Sequence, residues 1–272
     1  MINAFIQYAF IRHAVFGIIL ASIVCGIIGT IIIEKKLVMM SGGIAHTAFG
    51  GIGMGYFLGI EPIIGALIFS VLSSLGIAKI NRGSNTNSDT LTAMFWSLGM
   101  ALGILFIAFT PGYPPDMTSY LFGDVLKVSK LDIRVMIVIN ILVVSTITMF
   151  FNYFKFYLFD EEFTSILGIN TIFLEHVLYI LIACTIVVLI RVVGIILVIA
   201  LLTVPPAIAK QFTYDLKRIM IISIILGAVF GLIGLVFSYY FNIASGASII
   251  IFAVGSYMII YLINHVLKKC HS

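Results

Sequence analysis

The sequence predicts an all-α, polytopic membrane protein: one transmembrane domain over residues 1–272, with eight or nine spanning helices. Three observations carry this. Hydrophobic residues make up 62% of the chain and charged residues only 10%, more apolar surface than a water-facing shell can hide. The mean hydropathy is +1.22. The apolar residues run continuously instead of alternating, which excludes a β-barrel and leaves helices to satisfy the backbone in lipid.

A spanning helix needs about 20 apolar residues. Such runs lie at roughly 9–33, 37–59, 62–80, 90–110, 131–151, 171–190, 193–209, 219–240 and 246–267. The first of the nine could instead lie along the interface. It runs past the length of a secretory leader and ends in Glu34-Lys35-Lys36, so no cleavable signal is expected. The seventh is short and contains Pro205-Pro206. Only 111–130 and 152–170 are long connections, which leaves no room for a soluble domain or an ATP site. Cys25, Cys184 and Cys270 lie far apart, so neither a disulfide framework nor a structural zinc site is expected.

The formal net charge of +4 reads as basic residues at loop ends, with no nucleic-acid partner implied. Nine spans with a cytoplasmic C-terminus place Lys35, Lys36, Lys79, Arg82, Lys155, Lys210, Lys217, Arg218, Lys268 and Lys269 inside. Arg12, Lys127, Lys130, Arg134 and Arg191 then fall outside, together with the N-terminus. That partition obeys the positive-inside rule.

The second run holds the most informative segment, Ser41 to Gly59, SGGIAHTAFGGIGMGYFLG. An ionisable group at membrane depth needs a partner, a water path or a substrate. On a helix Gly42, His46, Gly50 and Gly53 share a face, beside a ridge of Gly51, Gly55 and Gly59. Two readings stand. His46 either hydrogen-bonds across a tightly packed helix pair, or it is a ligand or gate on a cation path, since neutral imidazole suits borderline transition metals. One histidine does not make a site, so further ligands must come from another helix or a second copy.

Asp160, Glu161 and Glu162 favour a helix start, and Gly168 suits a left-handed stop. Between them Phe163, Ile166 and Leu167 fall at i, i+3 and i+4 and give two turns one apolar face. So short a helix needs something to pack against. It is either a capped turn on the membrane surface or a docking helix for a cytoplasmic partner. In Val193–Ala209 the two prolines withdraw two backbone donors. Such a break serves either packing near a helix end or, where it lines a cavity, a transport path.

The external stretch Pro111-Gly112-Tyr113-Pro114-Pro115-Asp116 and Ser119 to Asp124 reads as an interfacial loop, with Asp116 and Asp124 able to attract cations. Glu175-His176 is expected to be a hydrated pair at the interface. No GxSxG, HExxH or GxxxxGK[ST] pattern occurs, so the chain is not read as an enzyme.

These segments together resemble a permease subunit of the zinc/manganese/iron family of ATP-binding-cassette (ABC) importers. Leu37 to His46 is similar to the family's second-span signature, methionine-glycine-aspartate-x-x-x-histidine followed by small residues. Ser119–Gly123 (SYLFG) resembles its external segment and Asp160–Gly168 its coupling helix. Val193–Ala209, Gly227–Ser238 and Ser245-Gly246 resemble its C-terminal half. The resemblance covers nearly the whole chain. It implies a homodimeric or pseudo-dimeric permease in a prokaryotic plasma membrane, with cytoplasmic ATPase subunits and an external metal-binding receptor. ATP would act on the partner chains, and a divalent metal would be cargo, not cofactor. His46 matches the family histidine past which the metal moves. Gly42 stands where the family has its aspartate. The lost carboxylate leans the expectation from manganese toward zinc. A secondary transporter or channel without an ATPase is the competing class. An intramembrane enzyme would need a second polar group near His46, and the sequence offers none.

Overall fold

Long apolar runs become helices because a backbone without water must satisfy its own N–H and C=O groups. The computed structural model describes residues 9–83, 87–112, 120–121, 123, 125, 128–241 and 243–271. Among them are ten helices and no strand. They are α1 (Ala9–Glu34), α2 (Val38–Leu58), α3 (Pro62–Gly83), α4 (Ser88–Phe109), α5 (Lys130–Met149), α6 (Phe151–Phe159), α7 (Glu161–Ile166), α8 (Thr171–Ala209), α9 (Leu216–Phe241) and α10 (Ser245–His271). Asn87, Ser129, Asp160 and Asn170 cap the starts of α4, α5, α7 and α8 with their side chains. Seven helices (α1, α3, α4, α5, α8, α9 and α10) are long and apolar enough to cross a membrane. The 21 residues of α2 are long enough too, but its glycines and His46 dilute the hydropathy.

Helix α8 joins two of the expected runs. Its 39 residues would extend about 58 Å if straight, nearly twice the hydrocarbon thickness. Yet its two ends meet at the same end of the bundle. Near its start, Glu175 pairs with Arg82, which also reaches Glu161, and Glu161 holds Lys35. Just past its far end, Lys210 pairs with Glu34, the neighbour of Lys35, at 3.0 Å. Midway along, Arg191 pairs with Glu61 and Asp132 at the opposite end of the bundle. The chain therefore folds back at Gly194, whose φ of 78° and ψ of 162° belong to a region that is essentially glycine-only. Gly194→Ala is expected to destabilise the protein by about 1–3 kcal/mol. Thermal unfolding in detergent checks this, and an unchanged midpoint would contradict it.

With that turn the nine expected runs become nine helical passes between two ends. The inner members of the charge partition, Lys35, Arg82 and Lys210, gather at one end, and Arg191 lies at the other. Asn264 of α10 donates to Gln211 at the Lys210 end, so the last pass finishes there. The two legs of α8 form the buried centre, packed against α1, α2, α3, α5, α9 and α10. Pro206 cannot donate to the carbonyl of Leu202 one turn earlier. Gly29 of α1 lies against that carbonyl so closely that a Cβ there would collide with it.

Candidate functional site

Helix α2 sits between α3 and α4, and its glycines set how closely. A Cβ on Gly50 would stand 2.6 Å from the carbonyl oxygen of Gly99, and one on Gly53 2.6 Å from that of Gly103, both on α4. Gly51 and Gly55 meet Gly65 and Pro62 of α3 in the same way. Gly50 and Gly53, which share the histidine's face in the sequence, thus serve the α2–α4 contact. Thr47 strengthens it: its hydroxyl donates to the carbonyls of Gly43 (2.7 Å) and Phe95 (3.2 Å).

His46 emerges beside this crossing, partly exposed, eight residues into α2. Its ring lies flat on the indole of Trp96, with centroids 4.0 Å apart and planes 8° from parallel. Its Nδ1 is buried and has no hydrogen-bond partner among the described residues. A Cβ on Gly42 would meet Ile199 of α8 at 3.8 Å and Trp96 at 4.0 Å, ordinary contacts that admit a methyl group. The structure therefore groups Gly42, His46, Trp96 and Ile199. Pro205 and Pro206 are buried further along the second leg of α8. Among the described residues no three His, Cys, Asp or Glu side chains come together as a metal site. Trp96 was not singled out in the sequence, where only its being the sole tryptophan of the chain marks it.

At the Lys35 end lies α7. Asp160 caps it by accepting from the Phe163 N–H (2.9 Å), and Gly168 follows it with φ 77°. Thr164 is buried, and Glu161 ties the helix to Lys35 (2.9 Å) and Arg82 (3.0 Å). Lys35 also stands over the ring of Tyr157, 3.8 Å from its centroid. With one side so fastened, the apolar side faces away from the bundle: Phe163 is 49% exposed, Ile166 82% and Leu167 51%. Glu162 is exposed as well.

Glu175 departs from expectation. It is buried and paired with Arg82, while His176 lies at 2.6 Å from the Ile172 carbonyl. The two neighbours do not form a hydrated pair, because Arg82, 93 residues away in sequence, reaches the carboxylate.

Of the external segment, the Tyr120 and Tyr56 hydroxyls share a hydrogen bond at 3.0 Å, and Gly123 packs on Val193 and Gly194. Pro114, Pro115, Asp116, Ser119, Phe122 and Asp124 lie outside the described residues.

Nine helical passes among the described residues, with a histidine beside the α2–α4 crossing and a fastened helix offering an apolar side at one end, fit a multi-pass membrane transport subunit. Residues 7–264 match the model of the ABC 3 transport family, and the chain belongs to that family. It is 39% identical over 254 residues to an uncharacterized membrane protein of Synechocystis, covering 93% of this chain and 90% of the relative. It is 34% identical over 261 residues to the manganese transport system membrane protein MntC of Listeria monocytogenes, covering 96% and 93%. The solved structure of PsaBC from Streptococcus pneumoniae in complex with Fab superposes with a TM-score of 0.86 at 29% identity, over 96% of this chain and 94% of that one.

Proposed function

We propose that this chain is the permease subunit of an importer for a divalent transition metal ion, energised by ATP hydrolysis on a separate subunit and supplied by an external metal-binding receptor. The observation that carries the path is the partly exposed His46 on α2, a helix otherwise without charged residues. A second copy of the chain, or a related permease, supplies the remaining ligands, because the described residues hold no cluster of their own. Two features point to the metal in different directions. Gly42 withholds a carboxylate and favours zinc, whereas the relatives in Listeria are named for manganese. The relatives match nearly the whole chain, so manganese takes precedence, with zinc and iron behind it.

The ATPase docks on α7, whose apolar side is exposed while Glu161 and Thr164 hold it to the bundle. The Lys35 end then faces the cytoplasm with the C-terminus, and Arg191 faces outside. A secondary transporter or channel would have no use for such a helix. Reconstitution with the ATPase and receptor in liposomes tests this: uptake of radioactive manganese is expected only with ATP. Equal flux without ATP would sink the importer reading.

A further inference from the structure

We propose that Trp96 is the positioning residue of the His46 site, holding the imidazole by its face where a hydrogen bond would ordinarily hold it by its edge. This deepens, and rests on, the reading that His46 lies on the metal path. A ligating histidine is usually oriented by a hydrogen bond from its second ring nitrogen. Here Nδ1 is buried and has no partner among the described residues, so no hydrogen bond from them through that nitrogen sets the ring's rotation. The near-parallel stack on Trp96 sets it instead.

The stretch of α4 that carries the indole is itself fixed by its contacts with α2. Before it, Thr92 packs against Gly43. Beside it, the Phe95 carbonyl accepts from Thr47. After it, Gly99 approaches the Thr47 backbone. Trp96 also comes within 4.0 Å of where a Cβ on Gly42 would stand, one turn from His46 on the same helix face. It therefore walls the site as well as aligning it.

The stack favours the loaded state over the empty one. Coordination draws electron density from the imidazole, and a more positive ring is held more strongly over the indole face. Such a difference between states is what shifts an equilibrium. Trp96 thus acts on how tightly the ion is held more than on how fast the subunit cycles.

The test uses the full-length permease assembled with its ATPase and receptor, with Mn2+ as the probe and rates expressed per mole of extracted permease. Trp96→Leu keeps bulk but removes the aromatic face; Trp96→Phe keeps a face. Trp96→Leu is expected to raise KM for Mn2+ about tenfold with kcat nearly unchanged, and Trp96→Phe to recover most of that loss. In the permease alone, Mn2+ is expected to quench the emission of its sole tryptophan, and His46→Ala to abolish the quenching while leaving the emission. A wild-type KM in Trp96→Leu, or equal losses in the Leu and Phe variants, would overturn the positioning role while leaving the path intact. Normal uptake in His46→Ala would instead remove the path reading, and this inference with it.

Discussion

His46→Ala is expected to reduce metal uptake by at least about 100-fold, the upper end of what losing a mere supporting partner does. The permease should still insert and pair with its ATPase, its unfolding temperature lowered only slightly by the lost ring stack on Trp96. The glycine contacts of α2 with α3 and α4 do not use the imidazole, so its removal leaves the crossing in place. Uptake and thermal unfolding on the same preparation separate the two readings of this histidine. A packing role predicts lost stability with uptake retained; a path role predicts lost uptake at only a small cost in stability.

Ile166→Asp is expected to detach the ATPase. At 82% exposure Ile166 contributes little to the permease's own fold, so the substitution reaches the partner alone. Burying an aspartate against an apolar seat is unfavourable. A hot-spot loss of about 2 kcal/mol corresponds to roughly 30-fold in affinity. Phe163→Asp should act in the same direction, though Phe163 is less exposed than Ile166. Size-exclusion chromatography of the co-expressed subunits checks this. A complex that stays whole and imports at the wild-type rate would show that α7 is not the seat.

The passes were legible because a spanning helix is written as an unbroken apolar run, which needs no knowledge of its neighbours. Capping by Asp160 and the left-handed Gly168 were legible for the same local reason. Even the break in α8 left a trace, since Arg191 interrupts 171–209 close to the turn at Gly194. Contacts across helices were not legible. Nothing in Ser41–Gly59 says that Gly50 and Gly53 meet Gly99 and Gly103, because helical periodicity gives a face but not the helix opposite it. The stack of His46 on Trp96 joins residues 50 apart in the chain and depends on the register of α4 against α2. Glu175 was misjudged for the same reason, as its setting is decided by Arg82.

The turn at Gly194 also bears on how the chain enters the bilayer. In the orientation proposed above, two apolar legs with almost no polar loop between them insert together as a helical hairpin, carrying Arg191 across at the tip. An unpaired arginine costs about 2.5–3.5 kcal/mol at mid-membrane. Its acceptors, Glu61 and Asp132, precede it in the sequence and leave the ribosome first. By the time the hairpin is made, the counter-charges for its tip are already on the far side, so the order of synthesis itself favours completing the crossing.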